Sequence, residues 1–256
     1  MISAAVVGEL TGAPLGALAH QIGTEWVFGT VLFLAAGLGA LALTIPAATG
    51  VERQTIRGAT AAARGAGLPK AILLLFAPSF AFGLVVVVGP LRMDDLGASP
   101  FLIAAAFAAG SITEAAVGPI IGRYSDRVGR TGPYVLGLSL LAIAVALIGI
   151  FGVLPIIFCA VVLMAFASGI AFTPASTLVT DIASGAGLNQ GYASGASNVA
   201  WGGGQMAGAF GGGLLAGATG YILPCMFTVI LLALVAYVAR GLDESPPPER
   251  PVPEAV

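Results

Sequence analysis

Two glutamates, Glu9 and Glu114, stand inside long apolar runs, and the stretch GRYSDRVGR from Gly122 to Arg130 sets three arginines and an aspartate between two such runs. A carboxylate in hydrocarbon costs several kcal/mol unless it is protonated, paired or wetted. A buried carboxyl that takes up a proton on one side of a membrane and releases it on the other is a proton carrier. That is the sharpest chemistry these two acids can perform. The plainer reading is that each snorkels or hydrogen-bonds locally, with Glu9 simply interfacial. Arg123, Arg127 and Arg130 suit a turn facing anionic headgroups, each contributing about 1 kcal/mol of surface attraction. Asp126 adds nothing to such a role and calls for a partner of its own.

Other polar side chains are fewer and less specific. Asn198, Trp201 and Gln205 recur at i, i+3 and i+7, on one face of a glycine-rich segment, as residues lining a substrate path would; packing explains them as well. His20 falls near a helix end and reads as interfacial. Cys159 and Cys225 lie in apolar runs, where a thiol behaves as a small hydrophobe, so neither a disulfide framework nor a metal site follows. No nucleophile–base set, metal cluster or cofactor loop appears, which argues against an enzyme and against a cofactor.

These residues sit in a chain whose solvent is a bilayer. Of 256 residues, 58% are hydrophobic and 9% charged, against about 25% charged in soluble domains. Runs near or above about 18 apolar residues recur, the length needed to cross roughly 30 Å of hydrocarbon. Breaks at charge, Pro and Gly predict eight helices at 3–19, 26–46, 69–91, 100–121, 131–150, 153–177, 191–218 and 221–240. The fold class is therefore an all-α integral membrane protein. At 1.5 Å per residue, Glu9 and Glu114 lie roughly 10 Å from the ends of their helices. Pro78, Pro119 and Pro174 fall inside spans, where kinks are tolerated. A net charge of −2 without a basic cluster excludes nucleic acid as a partner.

Basic residues accumulate in cytoplasmic connections. Arg53, Arg57, Arg64, Lys70, Arg123, Arg127, Arg130, Arg240 and Arg250 fall on one side, and Arg92 alone on the other, beside Asp94 and Asp95. Both termini are then cytoplasmic, in a multi-pass protein of the cell membrane. Residues 1–46 hold two helices, 47–68 a cytoplasmic linker, 69–241 six helices and 242–256 a proline-rich tail expected to be disordered. Shifting the chain by 196 residues lays Gly8, Gly12 and Gly16 over Gly204, Gly208 and Gly212. In both copies the glycines repeat every fourth residue on one helical face, the spacing that lets helix backbones approach closely in lipid.

GRYSDRVGR resembles the signature of the major facilitator superfamily: Gly, three variable residues, Asp, Arg, a variable residue, Gly and a basic residue. Gly122, Asp126, Arg127, Gly129 and Arg130 match it. The family has twelve helices in two six-helix halves joined by a long cytoplasmic linker, and the match fits the second copy of the signature, between helices eight and nine. The resemblance implies that the eight helices here correspond to family helices five to twelve, as in an N-terminally truncated member. GELTGAPLGAL, with Gly8, Gly12, Pro14 and Gly16, resembles the fifth-helix motif of proton-linked exporters, although Ala13 follows Gly12 where proline is usual.

The same resemblance implies that Asp126 lies against the N-terminal end of the first helix, near Ser3, closing the cytoplasmic side until the protein opens inward. It also places Glu9 and Glu114 on adjoining helices, where two close acids would hold a proton near neutral pH. The implied function is secondary transport by alternating access, as proton-coupled efflux of a small, fairly apolar molecule by an antiporter of the plasma membrane. The alternative is a truncated, half-transporter-like membrane protein without transport activity of its own. The sequence does not specify an oligomeric state.

Overall fold

The computed structural model describes residues 23–44 and 56–241, which form eight helices and, among these residues, no strand. They are α1 (Thr24–Leu43), α2 (Ile56–Gly65), α3 (Leu68–Asp95), α4 (Pro100–Val128), α5 (Thr131–Ile150), α6 (Leu154–Gly185), α7 (Gln190–Thr219) and α8 (Ile222–Arg240). The expected helix at 3–19 lies outside the described residues, as do the proline-rich tail and most of the first half of the linker. Helix is the only secondary structure that satisfies every backbone group of a single segment inside hydrocarbon. Six helices, α1, α3, α4, α5, α6 and α8, are long and apolar enough to cross a membrane. The seventh expected crossing, α7, has 30 residues and no charged side chain; its many glycines lower its hydropathy while fitting it tightly against α3.

Several elements differ from the sequence expectation: the helix expected at 26–46 spans Thr24–Leu43, and the one expected at 69–91 runs on to Asp95, taking in Arg92, Asp94 and Asp95. The linker contains α2, because the alanines at 59 and 61–63 are strong helix formers. The fourth helix does not stop at 121 but continues through the signature stretch to Val128; nothing in GRYSDRV breaks a helix, and Gly129, at φ 93°, ends it. Helix α6 runs past 177 to Gly185, which carries Asp181 within its last turns. At its start, α4 is capped by Ser99, whose side chain accepts a hydrogen bond from the Leu102 backbone N–H at 3.2 Å, with Pro100 in the first turn.

Glycine marks nearly every helix crossing, because packing in lipid favours small residues that let backbones meet. A Cβ on Gly137 would lie 2.6 Å from the Ala171 nitrogen, joining α5 to α6. One on Gly149 would lie 2.6 Å from the Cys225 Cβ, joining α5 to α8, and one on Gly110 would lie 2.9 Å from the Ala165 Cβ, joining α4 to α6. The closest contact is α3 with α7, where Gly83 meets Gln205 and Gly204, Gly208 and Gly212 meet the segment from Phe76 to Leu84. Large apolar side chains fill the space between: Leu75, Leu84, Leu138, Leu141, Ile148, Ile157 and Leu232 are fully buried. By contrast α1 buries only Val27. Cys225 is buried as expected of a small hydrophobe, whereas Cys159 is exposed on the outer surface of α6.

Pro78 lies inside α3 and has no N–H, so the Leu74 carbonyl one turn earlier loses its helical donor. The Tyr134 hydroxyl, reaching from α5, donates to that carbonyl at 2.7 Å. Tyr134→Phe leaves a buried carbonyl without this partner, an expected loss of about 1–3 kcal/mol. In detergent, thermal unfolding of this variant should begin at a lower temperature than that of Tyr237→Phe, whose side chain is exposed; equal unfolding temperatures would refute the role.

Candidate functional site

Short turns make successive helices from α3 to α8 antiparallel, so the bundle has two chemically distinct ends. One end gathers Lys70, the end of α4 with Arg123, Asp126 and Arg127, the turn at Gly129 and Arg130, and Arg240. Gly122 is half-buried, a Cβ added to it would lie 3.7 Å from the Thr173 Cγ2, and the Ser125 hydroxyl donates back to the Gly122 carbonyl at 3.0 Å. Arg123, Asp126 and Arg127 are exposed. Arg130 forms an ion pair with Asp181 at the end of α6, an acid the sequence reading did not single out. Its only sequence signal was an Asp closing a long apolar run. The proposed partner of Asp126 near Ser3 lies outside the described residues.

The other end carries Arg92. Its guanidinium donates to the Phe151 carbonyl at 3.1 Å and lies 4.7 Å from the centre of the Tyr221 ring. The Tyr221 hydroxyl donates to the Asp95 carboxylate at 2.5 Å. Burial first, then the hydrogen bond and charge of Asp95, push this tyrosine, in the turn before α8, up to about 12. It therefore remains a neutral donor near physiological pH. One cation thus ties the end of α3 to the α5–α6 connection and, through the tyrosine, to the α7–α8 turn.

Between the two ends lies Glu114. Because α4 extends to Val128, Glu114 sits at its middle, about 21 Å of helix from either end, rather than roughly 10 Å from one end. Its stem packs on α6: a Cβ on Gly169 would lie 3.3 Å from the Glu114 Cγ and 2.8 Å from the Val117 Cγ1. The side chain is half-buried and its Oε2 is screened from solvent. Glu114 lines a small cavity with Phe82 of α3, Phe107, Gly110 and Ser111 of α4, and Val161, Met164 and Ala165 of α6. The Ser168 hydroxyl donates to the Met164 sulfur at 3.6 Å, which steadies one wall.

The residues named as a substrate path are not among those walls. Asn198 and Trp201 are exposed on α7, and Gln205 is half-buried where its backbone meets Gly83. Glu9 and the motif of Gly8, Gly12, Pro14 and Gly16 lie outside the described residues. Phe82, Phe107 and Ser111 were missed by sequence reading because phenylalanine and serine in an apolar run carry no periodic signal.

A bundle of apolar helices packed on glycines, with one acid at the middle of a long helix and a basic signature at one end, is the architecture of a multi-span membrane transporter. The family model of the Major Facilitator Superfamily matches residues 71–256. The chain belongs to this family of membrane transporters, which implies a small-molecule substrate and a membrane setting. Among curated proteins there is no match to the chain.

Proposed function

We propose that this protein is a proton-coupled secondary transporter that exports a small, fairly apolar compound by alternating access, an antiporter of the plasma membrane with both termini cytoplasmic. The observation that carries the reading is Glu114, an acid at the centre of a 29-residue helix and screened from solvent on one oxygen, in a chain of a transporter family. A carboxyl held there is stable when protonated or wetted, so its charge state is tied to which side of the membrane supplies water. Glu9 would share its aqueous path. The cluster of basic residues at the Arg130 end supports a cytoplasmic assignment for that end.

Purified protein in proteoliposomes should move a lipophilic dye such as ethidium when an imposed pH gradient is present and stop when an ionophore collapses it. Movement that ignores the gradient would refute the coupling. Asp126 acts as the gate, releasing its helix-terminus contact as the cytoplasmic side opens. A carboxylate there contributes about 0.3–2 kcal/mol. Asp126→Asn is accordingly expected to raise the labelling of cysteines introduced along the cytoplasmic half of α4, and unchanged labelling counts against the gate.

A further inference from the structure

Hydroxyl side chains are distributed unevenly along α6. Residues 154–167 carry none, whereas Ser168, Thr173, Ser176, Thr177, Thr180 and Ser184 all fall between the level of Glu114 and the Arg130 end. Counted from Gly169, Thr173, Ser176, Thr177 and Thr180 lie at i+4, i+7, i+8 and i+11, on one face of the helix. Two contacts turn that face toward α4: a Cβ on Gly169 would lie 3.3 Å from the Glu114 Cγ, and one on Gly122 would lie 3.7 Å from the Thr173 Cγ2. Helices α4 and α6 run in the same direction, so the row of hydroxyls starts beside Glu114 and ends, about 17 Å further on, near the ion pair of Arg130 with Asp181. The α4 side of this seam is small, with Gly118, Gly122 and Ser125 following Glu114. Gly118 is buried, yet a Cβ added there would meet no atom of the described residues within 4 Å.

Each of these hydroxyls donates to a carbonyl of its own helix: Thr173 to Gly169 at 2.9 Å, Ser176 and Thr177 to Thr173 at 3.0 and 2.9 Å, and Thr180 to Ser176 at 3.0 Å. Such bonds explain how the hydroxyls are tolerated in an apolar helix, but not why they keep to one face and one half of it. A donating hydroxyl retains its lone pairs as acceptors, so the row can hold water. We infer that the seam between α4 and α6 is the wetted path by which Glu114 exchanges its proton with the Arg130 end, and that Thr173, Thr177 and Thr180 position the water along it. The inference rests on the proton-coupling reading above. A proton leaving the Glu114 carboxyl passes to a water as hydronium, moves between waters held by the threonine oxygens and leaves at the exposed end; uptake is the reverse. On the same face of α6 toward the Arg92 end stand Phe158, Val162 and Phe166, which hold no water, so the seam serves one side only. The charged groups around it stand at its ends, Glu114 at one and Arg123, Asp126, Arg127, Arg130 and Asp181 at the other. Helix α3 carries Lys70, Arg92, Asp94 and Asp95 in its terminal turns, and α5 and α7 carry no charge.

The test uses the full chain in nanodiscs, with the exposed native thiol removed as Cys159→Ser; Cys225 is buried. Thr173→Cys, Thr177→Cys and Thr180→Cys should each react with a charged methanethiosulfonate reagent at least about tenfold faster than Val162→Cys, because water does not enter an apolar seam. In proteoliposomes Thr177→Val and Thr180→Val, which keep the shape and delete the hydroxyl, should each slow ethidium movement driven by a pH gradient about fivefold or more, while exchange at equal pH changes less than about twofold. Thr177→Ser and Thr180→Ser keep the hydroxyl and should retain the wild-type rate, which separates a lost hydroxyl from a disturbed helix. Cysteines in the seam that react no faster than the one at position 162 overturn the proposal. So do valine variants that keep the wild-type gradient-driven rate, or serine variants as slow as the valine ones. Fast reaction of the three cysteines, in a protein whose unsubstituted form moves no dye under a pH gradient, supports the wetted seam and overturns the coupling reading alone.

Discussion

Gly208→Ala lowers the unfolding temperature of the protein in detergent, and Gly208→Leu prevents α3 and α7 from packing at all. In an isolated helix the alanine would help, by about 1 kcal/mol. Here its Cβ would lie 2.0 Å from the Phe80 carbonyl oxygen, 2.8 Å from the Phe80 carbonyl carbon and 3.0 Å from the Leu84 nitrogen. All three are backbone atoms of α3 and cannot rotate aside, so the helices must separate by roughly 1.5 Å to restore ordinary contact. Separation also weakens the flanking contacts of Gly204 with Phe76 and of Gly83 with Gln205. Overpacking of this kind costs about 1–3 kcal/mol for one methyl and more for a larger side chain. Gly211→Ala is the matched control, because nothing lies within 4 Å of its added Cβ. If the two alanine variants unfold together, the close approach of α3 and α7 is wrong.

Glu114→Gln reduces transport driven by a pH gradient to the leak of empty liposomes while leaving dye exchange at equal pH in place. Glutamine keeps the shape of the side chain and its packing on Gly169, and stands in for the protonated acid that never releases its proton. An alternating cycle that cannot release the proton cannot draw on the gradient. The loss should exceed about tenfold, the equivalent of more than about 1.4 kcal/mol. Glu114→Asp restores a titratable group one methylene shorter and should recover part of the rate. Gradient-driven transport by Glu114→Gln at the wild-type rate would remove this residue from the mechanism.

The two variants also mark how far the sequence could be read. The fourfold spacing of Gly204, Gly208 and Gly212 announced a helix face able to meet another backbone, but not that the partner would be α3 or that Gly83 would answer from the other side. Glu114 stood out because an acid in an apolar run is anomalous by itself. Its distance from the helix end was misjudged, since a continuous helix through a basic stretch looks like a loop to hydropathy, and only the positive φ of Gly129 reveals where α4 stops. The Arg130–Asp181 pair and the Tyr134 bond to the Leu74 carbonyl join residues 51 and 60 positions apart, and no local pattern links them.

By itself the sequence determined that the chain is a helical membrane protein, because continuous apolar runs leave the backbone no partner in lipid except its own turns. It determined equally that the basic residues gather at one end, since that follows from counting charges between spans. Tertiary structure alone decided which glycine meets which carbonyl and that Glu114 lines a small cavity with Phe82, Phe107 and Met164. Such contacts depend on the rotation and crossing of neighbouring helices, which hydropathy leaves free because every apolar face is equally soluble in lipid; close packing then selects one arrangement from among them.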